Sequence, residues 1–357
     1  MKFVFKTAKS SLALRDTIII KVEDNARFSG FGEVVAFKEP FYTAETSDKA
    51  WDYLENIYLP VTLEHDFSHP FEIHQLFPHP LPMTIAGLEN ALCDLYFKSK
   101  DQNTIRSVFG EGLAESIDSG AVLGDMSMNQ LLSEAEKLLA NGIQRIKLKI
   151  SPTNSAYERV STLRSNFPNL KIAVDANQSF SLKDWQVLQK LDELDLLCIE
   201  EAFDLSDESW ADFAKIKSQI QTPLCFDESV QTLDQLKRLN DLPGKSVLNV
   251  KIGRLGGLYQ TKQAIDFCRE NNIGFWIGSM VESGISKILH VQLAALAGNL
   301  MAGDLSDSQH YFEEDLICPE IKFEQGKMTL PTGPGLGVHI HEDAIKHYAL
   351  KKRIMIK

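Results

Sequence analysis

Five polar stations recur along the second half of the chain at a nearly constant interval: Lys149 (with Lys147), Asp175 (with Asn177), Glu200, Asp227 and Lys251. The successive steps are 26, 25, 27 and 24 residues. A strand, its loop, a helix and the return loop use about that length in a (β/α)8 barrel of roughly 250 residues. Each station closes an apolar, strand-like run: Ile146 to Ile150, Ile172 to Val174, Leu196 to Ile199, Leu224 to Phe226 and Val247 to Val250. Side chains at the C-terminal ends of barrel strands converge on one mouth, where such barrels keep their chemistry. The rhythm therefore predicts an α/β chain with a modified TIM barrel. Its mouth carries three carboxylates between two lysine stations, the arrangement of an enzyme.

The first hundred residues break this rhythm. Thr17 to Val22 and Gly30 to Phe37 read as antiparallel strands, and Met83 to Phe97 carries helical spacing on Ile85, Leu88, Leu92, Leu95 and Tyr96. Strands first and helices after indicate an α+β unit over 1–117, capping a barrel over 118–318. The barrel should open at Ser119 to Gly124, with its first helix starting at Ser127. A helix is expected over Asp207 to Ile220, a seventh strand over Ile273 to Ile277 and an eighth over Leu300 to Ala302. From Pro319 short strands and turns return, so 319–357 should pack back on a discontinuous capping domain.

Bulk properties narrow the function class. At 357 residues with 44% hydrophobic and 24% charged residues, the chain suits a globular protein with a large core. A net charge of −12 disfavours nucleic acid and anionic membranes, which select clustered Lys and Arg. Five scattered cysteines without a C-x-x-C pair fit a reducing compartment. With no signal-like apolar core near the N-terminus and no long apolar run, a cytoplasmic enzyme is expected.

Asp175, Glu200 and Asp227 supply the hard oxygen ligands that Mg²⁺ prefers, with Mn²⁺ a possible substitute; no His or Cys stands at these stations to suggest zinc. Glu201 and Glu228 follow two of these ligands and should face away by strand alternation. Lys147 and Lys149 share one strand face, and a lysine aimed into a barrel interior is costly unless paired. Lys251 closes the strand across the mouth. A carbon acid held between Lys149 and Lys251, its carboxylate on the metal, would lose its α-proton to give a stabilised enediolate. Arg254, three residues on, is either an exposed loop arginine or a permanent cation behind Lys251 that lowers its pKa. His339 and His341 read as surface residues, Gly333 to Gly337 as a turn, and His290 as structural.

The motifs resemble the enolase superfamily and its muconate-lactonizing subgroup. The resemblance lies in the K-x-K of Lys147 and Lys149, V-D-A-N of Val174 to Asn177, I-E-E of Ile199 to Glu201, D-E-S of Asp227 to Ser229, and Lys251. Superfamily sites that pair a Lys or His base with Mg²⁺ are a known pattern, so this chemistry comes with the resemblance. Within the subgroup the chain is most similar to o-succinylbenzoate synthases and N-succinylamino acid racemases, through Gly32-Glu33, Pro40-Phe41-Tyr42, Glu45, Gly253 to Gly257, Gly303 to Ser306, Tyr311 to Asp315 and Pro331 to Gly337. The resemblance implies Mg²⁺ on Asp175, Glu200 and Asp227, Lys149 as general acid/base, Lys251 opposite, and lid loops around Ser10 to Arg15 and Phe41 to Glu45. Lys147, Asn177, Glu228, Arg254, Glu282 and Ser306 are the candidates for substrate or supporting contacts. Ala202-Phe203 departs from the proline usual after the second ligand. A small carboxylate substrate is implied, and a homo-oligomer is compatible. The expected reaction is a dehydration giving o-succinylbenzoate for menaquinone synthesis. The alternative is racemisation of N-succinylamino acids, with dipeptide epimerisation a more distant third because Ser306 replaces the second acid of a D-x-D pair.

Overall fold

The computed structural model describes residues 1–2, 5–6, 11–110, 112–205 and 210–357. Ser10 of the first expected lid loop and Asp207 of the expected fifth-unit helix lie outside them. After a short antiparallel pair, Phe5–Lys6 with Ser11–Leu12, the main hairpin of the capping unit forms: β1 (Ile18–Glu23) pairs antiparallel with β2 (Ser29–Val34), Ile18 opposite Val34. Its inner face rests on α1 (Pro82–Lys98), the helix expected from the apolar spacing, with Pro82 at its first turn.

Hairpin and helix meet through glycine. A Cβ on Gly32 would lie 2.0 Å from the Gly87 carbonyl oxygen, and one on Gly30 would lie 2.1 Å from that of Ala91. Both obstacles are backbone, so no side chain can turn aside to make room.

Seven parallel strands follow in one sheet, each hydrogen-bonded to the next in sequence order: β3 (Ala121–Leu123), β4 (Arg145–Lys149), β5 (Lys171–Asp175), β6 (Ile199–Glu200), β7 (Leu224–Phe226), β8 (Ser246–Val250) and β9 (Gly274–Ile277). The outer layer comprises α2 (Met128–Ala140), α3 (Ala156–Asn166), α4 (Trp185–Leu191), α5 (Trp210–Gln219), α6 (Leu233–Asn240), α8 (Leu258–Glu270) and α9 (Gly284–Leu293), while the short α7 (Ile252–Leu255) follows β8 directly and packs against α1 of the capping unit. Helix α2 begins where Ser127 and Gln130 form a reciprocal capping box.

The expected eighth strand over Leu300 to Ala302 does not form as a ladder. The segment slants across the gap, touching β9 at its start (Phe275 with Asn299) and the residues before β3 at its end (Ser119 with Gly303). The Leu300 amide donates to the Phe275 carbonyl at 2.8 Å and the Gly120 amide to the Gly303 carbonyl at 2.9 Å, which closes the barrel. No two successive residues meet the same neighbour, and this is why a bridge at each end replaces a strand.

Inside the barrel, Ala173, Cys198, Cys225, Val247, Trp276 and Met301 form an apolar plug. Because side chains alternate along a strand, Asp175, Glu200, Asp227 and Asn249 each stand two residues beyond a plug residue and face the same interior. Residues 319–357 return toward the N-terminal unit: Lys327–Thr329 pairs with Ser116–Asp118, and the Leu336 amide donates to Asp94 of α1 at 2.8 Å. Gly335 and Gly337 adopt positive φ in the expected turn. Gly32→Ala should cost about 2–4 kcal/mol through backbone displacement, measured by urea unfolding. A midpoint equal to that of the parent protein would mean that hairpin and helix are not in close contact.

Candidate active site

Strand register brings the stations together. Lys149 is the partner of Asp175, Asp175 of Glu200, and Glu200 of Cys225, whose strand ends just before Asp227. Lys147 lies beneath the mouth, where one ammonium serves three carboxylates: Asp304 at 2.5 Å, Glu200 at 2.9 Å and Asp175 at 3.2 Å. Arg145 adds a second cation on Asp304 at 2.5 Å, and the Trp276 ring lies 4.8 Å from Arg145 and 4.9 Å from Lys147. Asn249 donates to the other oxygen of Glu200 at 2.8 Å.

The two expected bases occupy opposite sides. Lys149 donates to Asp175 and to the Asn177 amide oxygen, both at 2.6 Å; its side chain keeps 24% exposure, against 9% for Lys251. Lys251 donates to Asp227 at 2.6 Å and lies 4.9 Å from the centre of the Tyr42 ring. The Tyr42 hydroxyl donates to Asp227 at 2.8 Å, so the second expected lid loop reaches the third carboxylate directly. That loop is fixed at its far end by Glu45, which accepts from the Met83 and Thr84 amides at the start of α1.

Electrostatics follow this geometry. Burial disfavours the charge on Asp175, yet Lys149 and Lys147 outweigh it and hold the carboxyl well below its ordinary range. Glu200 is pushed up to about 7, by burial first and then by Asp175, Asp227 and Asp304, which Lys147 only partly offsets. Burial also opposes the ammonium of Lys251, but Asp227 and Tyr42 prevail and its pKa is raised. The expectation that Arg254 would lower it therefore fails in sum. The guanidinium does push in that direction, but it is itself paired with Asp227.

Arg254 is no exposed loop residue. It is fully buried on α7, bonded to Asp227, to the Asn249 carbonyl and, at 2.8 Å, to the Val230 carbonyl. Glu201 turns aside as alternation requires, accepting from the Asp227 amide at 2.9 Å and the Ser229 amide at 2.7 Å. Glu228 does not turn away. Strand β7 ends at Phe226, so alternation no longer governs, and Asn177 donates to Glu228 at 3.2 Å. Burial, then Asp227, Glu201 and Asp175, push its carboxyl up to about 8.

Glu282 is folded back on its own loop, accepting from the Met280 amide, with no exposure to the mouth. Ser306 lies against the Tyr311 phenol. Phe203 bridges Phe180 and is buried in the core, so the loop after Glu201 is anchored without the usual proline. His339 and His341 are exposed, as expected. His290 is buried within α9. Arg145 and Asn249 escaped the sequence reading, although each stands two residues before a recognised lysine and so shares its strand face.

Comparison with known proteins identifies the family. A family model described as "Enolase C-terminal domain-like" matches residues 130–344. The chain belongs to the enolase superfamily. It is 33% identical to o-succinylbenzoate synthase of Bacillus subtilis, over 98% of this chain and 94% of that one. It is 32% identical to an N-succinylamino acid racemase of Thermus thermophilus, over 99% and 95%. A solved structure of an enolase superfamily member from Enterococcus faecalis V583 superimposes with a TM-score of 0.91 at 32% identity, over 97% and 94% of the two chains. The protein is thus an enzyme of this superfamily. No helix among the described residues is long and apolar enough to cross a membrane.

Superfamily membership implies a divalent cation. Among the described residues no three acids, histidines or cysteines stand together as a ready ligand group, because ammonium groups occupy the carboxylate oxygens. The donor chemistry nevertheless fits a hard cation. All the candidate donors are oxygens, the repulsion that raises Glu200 is what such a charge relieves, and Glu228 Oε2 is buried without a hydrogen-bond partner among the described residues.

Arg254→Gln should destabilise the fold by about 3–5 kcal/mol by leaving Asp227 short of a buried partner, read from urea unfolding. A loss within experimental error would mean that the pair contributes nothing to stability.

Proposed function

We propose that this protein is a Mg²⁺-dependent o-succinylbenzoate synthase of menaquinone synthesis, working in the cytoplasm. Its reaction is loss of water from 2-succinyl-6-hydroxy-2,4-cyclohexadiene-1-carboxylate. The observation that carries the reading is near-full-length likeness to o-succinylbenzoate synthases, joined to Lys149 and Lys251 facing one another over three carboxylates. Asp175, Glu200 and Asp227 would hold the Mg²⁺, with Mn²⁺ a substitute, and the bound cation would supply positive charge that acidifies the carbon next to the substrate carboxylate.

The chain's own residues do the proton work. Lys149, the more exposed lysine, takes the α-proton in its neutral form, and the C–H electron pair becomes the new ring double bond as the C–O bond breaks. The same proton returns from Lys149 Nζ to the leaving hydroxyl, so water departs and the lysine is neutral again. Lys251, kept charged by Asp227 and Tyr42, faces the other side and stabilises the anion electrostatically. Lys147 keeps Asp175 and Glu200 close without touching substrate. Asn177 orients the Lys149 ammonium.

The racemase reading rests on the same opposition of lysines and on the full-length likeness to N-succinylamino acid racemases. There one lysine, neutral, removes the α-proton from one face of the α-carbon and the other, charged, delivers its own proton to the opposite face, so the two end with their protonation states interchanged. A small carboxylate remains the substrate in both cases, with neither nucleic acid nor membrane as partner.

Two measurements test this assignment. Calorimetric titration of the free enzyme with Mg²⁺ should show one site that Asp227→Asn weakens at least about tenfold, roughly 1.4 kcal/mol; unchanged affinity would remove Asp227 from the ligand set. Lys149→Ala should abolish both o-succinylbenzoate formation and α-proton exchange with deuterium oxide, while Lys251→Ala should damage racemisation at least as much as dehydration. Rapid exchange persisting in Lys149→Ala would overturn the base assignment.

A further inference from the structure

On the Lys251 side of the mouth a half-buried arginine, together with Glu33, joins the capping unit to the loop after the seventh strand. Arg15 is the last residue of the first expected lid loop, three positions before β1, stacked 4.4 Å from the Phe37 ring centre. Its guanidinium donates to the Val35 carbonyl at 2.5 Å, the Ala36 carbonyl at 3.0 Å and, across the domain boundary, the Val281 carbonyl at 3.3 Å. Val281 has φ +57°, a left-handed conformation that a β-branched residue adopts only under constraint.

Both ends of this clasp lead to the turn that starts at Lys251. On one side, Val35 packs against Gly253 of α7 so closely that a Cβ there would lie 2.4 Å from Val35 Cγ2. On the other, Glu282 follows Val281 and lies 3.5 Å from His290 Nδ1. The opposite nitrogen of that ring, Nε2, accepts the Ile252 amide at 3.0 Å. An accepting Nε2 leaves the proton on Nδ1, facing Glu282 and the Ser286 carbonyl at 3.2 Å. Ile252 is the first residue of α7 and Lys251 its N-cap, so this bond fixes the backbone from which the lysine side chain departs.

We infer that Arg15 is a positioning residue for Lys251: by holding Val35 and the strained Val281 turn together, it sets where that lysine stands relative to the α-carbon. His290 is the last link, carrying the loop's position to the Ile252 amide. The inference rests on the two-lysine reading above.

The test uses the two faces of the reaction as each other's control. The full-length enzyme with Mg²⁺ is given N-succinyl-L-phenylalanine and N-succinyl-D-phenylalanine in deuterium oxide, and α-proton exchange is followed by NMR. The enantiomer served by Lys251 is the one whose exchange Lys251→Ala abolishes. Arg15→Met should slow exchange of that enantiomer about tenfold or more, and leave the other within about twofold. Arg15→Lys, which can restore some of the carbonyl contacts, should recover part of the loss.

His290→Leu should produce the same one-sided loss, and His290→Gln, which keeps an acceptor for the Ile252 amide, should not. These two variants decide the matter if Arg15→Met fails to fold. Equal losses on both enantiomers, or none, would overturn the inference. A parent enzyme that exchanges neither enantiomer, yet forms o-succinylbenzoate, would instead overturn the two-base reading beneath it.

Discussion

The site depends on one ammonium shared by three carboxylates. Lys147 stands where Asp175, Glu200 and Asp304 approach one another, and without a cation at that point their mutual repulsion would have to be met by protonation or by separation. Its position is dictated by strand alternation, two residues before Lys149 and two after Arg145. The cost of burying it is offset because it replaces water with carboxylate partners. The same logic extends upward: Lys149 settles on Asp175, while Lys251 and Arg254 settle on Asp227. What distinguishes the two upper lysines is enclosure. Lys149 remains partly open, whereas Lys251 is covered by Tyr42.

A second group of buried acids joins the domains. Glu33 on β2 accepts from the Ser283 amide at 3.0 Å and the Ser286 amide at 3.2 Å, at the start of α9. Glu89 on α1 accepts from the Tyr259 amide at 2.9 Å at the start of α8, with His74 bonded to its other oxygen. A carboxylate at a helix N-terminus satisfies amides that lack an intrahelical partner and faces the favourable end of the helix dipole. The capping unit thus grips the barrel by the helices that follow the sixth and seventh strands, and it leans toward the Lys251 side of the mouth.

How much of this could be read from the residues alone depended on whether the signal was local. The barrel, the order of the stations, the opening of α2 at Ser127 and the shared face of Lys147 and Lys149 are matters of period and spacing, and they were legible. The eighth strand was not, because an apolar run of three residues does not reveal that it will slant between two neighbours. Glu228 was misplaced because alternation was carried two residues past the end of β7. Arg254 and Tyr42 meet at Asp227 from positions far apart in the chain, and no periodicity encodes such a meeting. Glu282 lies five residues beyond the apolar seventh strand, in a loop that turns through the left-handed Val281 and folds the carboxylate back on the Met280 amide.

The bond between Glu33 and Ser283 spans 250 residues of chain. During synthesis the carboxylate emerges long before the amides it will cap. At ~5–20 residues per second that interval is roughly 12–50 s. Through it the β1–β2 hairpin must keep an acid destined for burial facing water, and the growing barrel must reach its seventh strand before the acid can be enclosed. The contact that joins the hairpin to α9 therefore cannot form until the seventh strand and the turn after it have been made, so the mouth is completed only late in synthesis.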